Sequence, residues 1–152
     1  METNFEFSDY IGELEWLLRH VSAVIRKRGR EILADFNITP PQLTALQVLQ
    51  RSGNITIGEL GEKMYLAYST ATDLIDRMER NELVIRVRDS SDRRVVRLQI
   101  LPKGEKLVDE VIARRKTYLS GILEEVSDED KIQLINSLKQ LDVIMRANVE
   151  RL

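Results

Sequence analysis

Apolar residues recur at alternating spacings of four and three near both ends of the chain, a spacing that keeps side chains on one face of a helix. The N-terminal stripe consists of Phe7, Ile11, Leu14, Leu18, Val21 and Ile25. The C-terminal stripe consists of Leu134, Leu138, Leu141, Met145 and, after the polar Asn148, Leu152. We therefore predict a long helix at each end, the first capped by Ser8 or Asp9 and the last by Ser127.

Capping signals predict two shorter helices between these ends, and apolar spacing predicts a third. Thr39, with Gln42 three residues later, forms a capping-box pattern, and Gly53 is typical of the end of that helix. Thr56 and Glu59 repeat the pattern and open a short helix through residue 64. A further helix, from about residue 67 to residue 81, carries its apolar positions on one face. These positions are Ala71, Leu74, Ile75 and Met78.

A two-stranded ribbon is predicted over residues 83–100. β-branched residues flank a polar tip, Asp89-Ser90-Ser91-Asp92, in which Asp and Ser are turn formers. Ile55 is expected to pair with this ribbon as a minimal strand, and Pro102 marks the start of a fifth helix. The element order predicts a mostly α fold with a minor β part, a winged helix-turn-helix with long N- and C-terminal helices.

Basic residues concentrate around the ribbon. The chain has a net charge of −2, yet residues 77–103 hold eight Lys or Arg against four Asp or Glu. Because only nearby cations displace the counterions of a duplex, this local excess favours double-stranded DNA as a partner. A solvated basic face is the alternative interpretation. The cations on the ribbon itself are Arg86, Arg88, Arg93, Arg94 and Arg97.

Composition narrows the remaining classes of protein. The absence of cysteine excludes disulfides and thiol-based redox switches. No apolar run approaches the roughly 20 residues that span a membrane, and residues 1–6 lack the features of a secretory signal. One histidine offers no spacing for a transition metal, and no nucleophile–base constellation or phosphate loop is present. We expect a cytoplasmic protein with no cofactor and no membrane partner that is not an enzyme.

The chain resembles the MarR (multiple-antibiotic-resistance regulator) family of bacterial transcription factors over about residues 10–150. The resemblance is carried by Leu60, residues 69–79, Leu83, Val84, Arg86, Asp92, Arg93, Arg94, Ile100 and Gly104. It implies a winged helix-turn-helix DNA-binding domain at residues 37–101 and a helical dimerisation region at 1–36 and 102–152. A homodimer would match the two-fold symmetry of a palindromic operator, whereas packing within one chain is the alternative explanation of the end stripes.

The resemblance also implies which residues meet DNA, with the third short helix in the major groove and the ribbon as a wing. The residues expected at the DNA are Tyr68, Ser69, Thr70, Thr72, Arg77, Asp92, Arg93 and Arg94. Arg94 is expected to enter the minor groove with Asp92 orienting its guanidinium, and a salt bridge within the hairpin is compatible with that role. Arg97 is expected to contact phosphate or solvent.

Two further expectations concern the third short helix, here called the recognition helix, and the turn that follows it. Glu82 stands where the family usually has glycine, so Asn81 is expected to adopt the left-handed conformation instead. The carboxylates of Asp73 and Asp76 would repel phosphate on an exposed face. We expect them to pair with cations one turn further along the helix, Arg77 and Arg80.

Trp16 and His20 lie one turn apart on the first helix, which in the resembling family lines a pocket for small aromatic acids and other effectors. An anionic effector is therefore one interpretation of this pair, and a core or interface pair is the other. For the whole chain the leading hypothesis is a dimeric, sequence-specific DNA-binding regulator, in particular a repressor released by an effector. The alternative is a winged-helix module for protein–protein interaction that binds DNA without sequence preference.

Overall fold

A computed structural model describes residues 9–149, and the predicted mostly α winged-helix architecture is confirmed. The expectations for Phe7, Ser8 and Leu152 fall outside these residues. The helices are α1 (Tyr10–Asp35), α2 (Pro40–Ser52), α3 (Ile57–Met64), α4 (Tyr68–Arg80), α5 (Pro102–Ile122) and α6 (Asp128–Val149). The strands are β1 (Ile55–Thr56), β2 (Val84–Arg88) and β3 (Val96–Ile100). Over residues 9–149, no helix is both long and apolar enough to cross a membrane.

The helices begin where the capping signals predict. The Asp9 carboxylate accepts a hydrogen bond from the Gly12 amide at 2.8 Å and starts α1. At α2 the Thr39 amide donates to the Gln42 side chain at 2.9 Å, and the Gln42 amide donates back to the Thr39 hydroxyl at 3.4 Å. Thr56 and Glu59 form the same reciprocal pair at α3. These bonds satisfy amide donors that the first turn of a helix leaves without partners.

The three strands form an antiparallel sheet in the order β1-β3-β2. Ile55 pairs with Leu98, which confirms the predicted minimal strand. Along the hairpin, Val84 pairs with Ile100 and Arg88 with Val96. Because β3 lies between the other two strands, β2 forms one free edge of this sheet.

One apolar core joins the helix-turn-helix to the hairpin. Ala71, Ile75 and Met78 of α4 are fully buried, and Val84 and Leu98 of the hairpin are buried in the same cluster. The other buried members of the cluster are Ile32, Leu33, Ile38, Leu43, Ala45, Leu46, Leu49, Ile55, Ile57, Leu60, Leu83, Val108 and Val111. This shared core fixes α4 and the base of the hairpin on the same body.

The turn between α4 and β2 differs from the prediction. Glu82 itself adopts the left-handed conformation, with φ of 60°, whereas Asn81 has φ of −87°. The Leu83 amide donates to the Met78 carbonyl at 2.9 Å and the Glu82 amide to the Glu79 carbonyl at 3.0 Å. This pair of bonds is the Schellman arrangement, in which the second residue after the helix takes the positive φ. Glu82 occupies that position here, although glycine is usual there. The expectation for Asn81 was therefore wrong.

Contacts divide the chain into two units that separate between Arg115 and Lys116, within α5. Every member of the apolar core lies in the first unit. In the second unit, the described part of α6 has no buried residue. The boundaries at residues 36 and 102 between a DNA-binding domain and a dimerisation region remain a prediction.

Candidate nucleic-acid interface

The first turn of α4 presents an exposed polar and aromatic surface. Tyr68, the first residue of α4, is 66% exposed, and Ser69 and Thr70 are also exposed. Thr72 is half-buried, and its hydroxyl donates to the Tyr68 carbonyl at 2.9 Å, so its proton is used within the helix. Ala67, the residue before α4, supplies no side-chain cap, which leaves the first amides of the helix available to an anion.

The expected ion pairs along α4 do not form. Within residues 9–149, Asp73 makes no ion pair with Arg77, and both side chains are exposed. Asp76 does not pair with the guanidinium of Arg80, which donates instead to the Asp76 backbone carbonyl at 3.3 Å. The partner of the Asp76 carboxylate is Arg86 of β2, because the hairpin folds back beside α4. Both expectations were wrong, and Arg77 stays available for a ligand.

Arg86 joins β2 to α4. Its guanidinium donates to the Asp76 carboxylate at 2.6 Å and to the Glu79 carboxylate, and its backbone amide donates to Glu79 at 3.3 Å. Partial burial acts to lower the pKa of Arg86, but the hydrogen bonds to these two carboxylates outweigh it and raise the pKa above its usual value. Arg86 therefore stays charged and neutralised between two anions, and it is not a free cation on the wing.

Asp89 builds the tip of the wing. One oxygen of its carboxylate accepts the amides of Ser91 at 2.7 Å and Asp92 at 3.2 Å, which closes the turn, and the other accepts from Arg97. The Arg97 guanidinium and these two amides lower the pKa of Asp89 to about 2. Arg97 is thus an internal partner that also donates to the Asn54 carbonyl at 3.2 Å. Its side chain keeps 35% of its surface exposed, and a phosphate contact there remains a prediction.

Arg94 lies at the wing tip and is held by Asp92, as the family resemblance implies. Its Nε and one terminal nitrogen donate to the two oxygens of Asp92 at 3.1 and 3.2 Å, and its amide donates to Asp92 at 3.0 Å. The guanidinium bond and the amide bond lower the pKa of Asp92. The Arg94 side chain is nevertheless 91% exposed. A cation is thereby held in one direction without being covered, which limits the freedom that it would lose on binding an anion.

The remaining wing cations divide into two groups. Among the described residues, Arg88 and Arg93 form no ion pair, and both are exposed; the only bond of the Arg88 guanidinium is to the Arg93 carbonyl at 3.5 Å. Arg86 and Arg97 are neutralised by carboxylates of this chain. The electrostatic attraction of the wing for phosphate therefore rests on fewer charges than the sequence count suggests.

Tyr65, in the turn between α3 and α4, was missed by the sequence interpretation. It adopts the left-handed conformation with φ of 55°, and 94% of its side chain is exposed. An aromatic residue is seldom placed at such a position, and unfavourable backbone conformations cluster at functional sites. The signal in the sequence was an aromatic residue in the turn of a helix-turn-helix, where glycine or asparagine is more usual.

Trp16 and His20 are adjacent on α1, as predicted from their spacing. Their ring centroids lie 3.9 Å apart, and the His20 Nδ1 lies 2.9 Å from the Trp16 carbonyl oxygen. Because a carbonyl oxygen can only accept, this nitrogen carries the proton. Both side chains are exposed in the single chain, so an effector role for the pair remains a prediction.

A helix-turn-helix whose second helix lies beside an arginine-bearing hairpin defines a winged-helix protein of the nucleic-acid-binding type. The model of the MarR family matches residues 38–96, which span α2 to the start of β3. With the relatives described next, this match shows that the chain belongs to the MarR family of transcriptional regulators.

Two curated relatives come from Bacillus subtilis (strain 168). The uncharacterised HTH-type transcriptional regulator YsmB is 50% identical over 138 residues, which cover 91% of this chain and 94% of that protein. The HTH-type transcriptional repressor MdtR is 28% identical over 123 residues, covering 81% and 79%. A solved MarR family protein from Bacillus stearothermophilus is 48% identical with a TM-score of 0.83, covering 93% of this chain and 99% of that one. These relatives confirm that the chain is not an enzyme.

Proposed function

We propose that this MarR-family regulator is a homodimeric repressor that binds an inverted-repeat operator and is released by a small effector. Residues 37–101 carry the DNA contacts, and residues 1–36 and 102–152 form the dimer. Each chain inserts α4 into the major groove and reaches the flanking minor groove with its wing. Such a regulator acts in the cytoplasm, where bacterial DNA lies.

The observation that carries this proposal is that Arg94 is both oriented and exposed. Its guanidinium is held by Asp92 through two hydrogen bonds and yet is 91% exposed at the wing tip. A structural ion pair would gain little from such exposure, because surface pairs contribute at most about 1 kcal/mol. An exposed and oriented guanidinium suits the narrow minor groove of A·T-rich DNA, where the negative potential is enhanced. Exposed Arg93 adds a cation beside it.

The exposed surface at the start of α4 is the second part of the interface. Hydroxyl groups of Ser69 and Thr70 are short enough to reach base edges or phosphates, and the rings of Tyr65 and Tyr68 offer apolar contact with thymine methyl groups. The amides at the start of α4 lack a side-chain cap and suit a phosphate. Arg77, which has no ion pair among the described residues, adds a cation on the same helix.

Exposed apolar side chains support the homodimer. On α1 the stripe residues within the described chain are all exposed: Ile11, Leu14, Leu18, Val21 and Ile25. On α6, Leu134, Leu138 and Met145 are exposed and Leu141 is half-buried. Soluble monomers seldom expose apolar patches of this extent, so a second copy of the chain is the occupant that we propose.

The effector proposal rests on Trp16 and His20. Trp16 is the one tryptophan of the chain, so its fluorescence reports directly on the pair. We expect a small aromatic carboxylate to change that fluorescence saturably, and we expect His20→Phe to weaken its binding. Fluorescence that does not respond to such acids would contradict this part of the proposal.

The repressor role is supported by the similarity of this chain to MdtR, a transcriptional repressor.

Selection of the purified chain on a random duplex library, near physiological salt, tests the proposed function. We expect an inverted repeat whose half-sites lie about one helical turn, roughly 10 base pairs, apart. A single unrepeated motif would contradict the homodimer and leave the DNA-binding site standing. Recovery of no motif would contradict sequence-specific binding and favour a protein-interaction module.

A further inference from the structure

The ion cluster of Arg86, Asp76 and Glu79, here called the clamp, links the two parts of the proposed interface. Asp76 and Glu79 lie three residues apart on α4 and therefore on one face of the helix. The fork of Arg86 spans them, with one terminal nitrogen on each carboxylate. The Arg86 side chain is 27% exposed, whereas those of Asp76 and Glu79 are 48% and 36% exposed. The guanidinium is therefore partly shielded from solvent, and the two carboxylates are less so.

Glu79 makes a second connection, to the backbone of β2. One of its oxygens accepts the amide of Arg86 at 3.3 Å while the other accepts the guanidinium. β2 is a free edge of the sheet, so this amide points away from β3 and would otherwise lack a protein partner. The clamp thus fixes both the side chain and the strand edge to the recognition helix.

Beyond the clamp, the hairpin is supported by its β3 strand, because Arg97 pairs with Thr56 of β1 and donates to the Asn54 carbonyl. Val84 and Leu98 are fully buried at its base, and Arg86 pairs directly opposite Leu98. Further out, Arg88 and Val96 are exposed. Among the described residues, the hydrogen bonds that join α4 to the hairpin are those of the clamp.

We propose that Arg86 is a positioning residue that sets the wing relative to α4, so that Arg94 and the start of α4 meet the duplex together. Arg86 does this without touching DNA. The inference rests on the proposed function. It adds the way in which the contacts of Arg94 and of the start of α4 with DNA become dependent on each other. A wing that is held in place before binding loses less conformational freedom on binding, and the gain from Arg94 is larger.

A purely electrostatic role predicts a different pattern. If Arg86 acted only through its charge, removing it would weaken DNA binding, and removing the Asp76 and Glu79 charges would strengthen it. Under the positioning role, both changes diminish the contribution of Arg94, because both abolish the clamp. The two roles are therefore separated by the contribution of Arg94 in the carboxylate variant, which falls under the positioning role and is unchanged under the electrostatic one.

The test measures the loss of affinity caused by Arg94→Ala on a duplex selected by the parent protein. This loss is compared in the parent, in Arg86→Lys, in Arg86→Met and in Asp76→Asn/Glu79→Gln. We expect Arg94→Ala to lower affinity about tenfold or more in the parent. In all three clamp variants the same substitution should lower affinity less than about threefold, since contacts that depend on one another are not additive. Arg86→Lys keeps the charge but lacks the fork, so it isolates geometry.

Arg88→Met is the matched control, because it removes an arginine two residues along the same strand that forms no hydrogen bond or ion pair with α4 among the described residues. It should weaken binding through charge but leave the Arg94 loss at its parental value. Thermal unfolding checks that each variant folds. If Arg86→Met does not fold, the result from Asp76→Asn/Glu79→Gln decides between the two roles. An Arg94 loss that is equal in all backgrounds overturns the positioning role and leaves the proposed function intact. A parent that selects no duplex overturns both.

Discussion

Two arginines three residues apart in the wing have different environments, and the difference comes from their carboxylate partners. Arg97 donates to Asp89 and to the Asn54 carbonyl, and these bonds stabilise the hairpin. Arg94 donates to Asp92 and remains exposed. The same residue type therefore stabilises the hairpin at one position and is available to a duplex at the other.

Replacing Arg94 with alanine tests the binding role of the wing. We expect Arg94→Ala to lower affinity for the selected duplex roughly tenfold to a hundredfold, as for loss of one good contact of about 1–3 kcal/mol. The fold should be unchanged, because an exposed pair contributes little to stability. Arg146→Ala is the control, since Arg146 forms a comparable two-bond pair with Asp142 on α6. Equal affinities for both variants would remove the wing from the interface.

The wing turn should respond to pH through Asp89. Its pKa is lowered to about 2 from an ordinary value of 3.8, so its ionised form stabilises the fold. This contribution is fully present above about pH 4 and is lost as the pH falls towards 2. We expect Asp89→Asn to be less stable than the parent at pH 7 and the difference to shrink below about pH 4. Urea unfolding over that range measures it, and a difference independent of pH would contradict this role.

At the residue scale, sequence reasoning succeeded for the pair within the wing turn and failed for the pairs along α4. The Asp92–Arg94 pair spans two residues within one turn, so the local motif was sufficient to predict it. Arg86 is seven and ten residues from its carboxylates, and the path of the hairpin beside α4 decides that pairing. Helical spacing alone therefore assigned Asp76 to the wrong arginine. Tyr65 was missed because exposure is a property of the folded chain.

At the element scale, α5 begins against the turn that leads into the wing. The Leu101 amide donates to the Leu83 carbonyl at 2.9 Å, and Gly104 lies over the same carbonyl. A Cβ at Gly104 would lie 2.5 Å from the Leu83 oxygen and 3.1 Å from Leu46. Only a residue without a side chain allows α5 to pack this closely on the turn before β2 and on α2.

Gly104→Ala should therefore destabilise the protein, by about 1–3 kcal/mol for an overpacked site. Gly121→Ala, in the same helix, is the matched control, because no atom of residues 9–149 outside its own helical backbone lies within 4 Å of its Cβ position. There the higher helix propensity of alanine should stabilise by up to about 1 kcal/mol. Thermal or urea unfolding of both variants measures the contrast. Equal effects at the two positions would show that the approach of α5 to Leu83 is not tight.

Helix starts were predicted well where a capping side chain marks them, as at Thr39 and Thr56. The end of α4 was mispredicted because a backbone arrangement decides it. Two amide–carbonyl bonds fix Glu82 at positive φ, against the preference of its side chain. The gain from closing the helix end and burying Leu83 outweighs that local cost.

At the scale of the whole molecule, the apolar positions of α1 and α6 need a partner surface. Leu138 is 62% exposed in the single chain, so a charged substitution there should not disturb the fold of one chain. We expect Leu138→Asp with Leu141→Asp to give a folded monomer, because a carboxylate buried at an interface is costly. Light scattering measures the mass. Lys139→Asp with Gln140→Asp, at exposed polar positions of α6, should remain dimeric.

If the double leucine variant kept the dimeric mass, the C-terminal stripe would not belong to the interface. The stripe was predictable from spacing alone, since a four-three pattern marks one helix face. Whether that face packs within a chain or between chains is not encoded in the spacing. The exposure of these side chains on the folded chain is the property that favours a second copy.

The most direct test of the whole account compares the selected duplex with one in which a single half-site is scrambled. The account predicts two chains on the intact repeat and a large loss of affinity on the scrambled one, because one recognition helix then faces the wrong bases. The expected loss is a hundredfold or more, at about 1–3 kcal/mol for each mismatched base pair. One chain per duplex, or equal affinity for both duplexes, would contradict a dimeric reader of an inverted repeat.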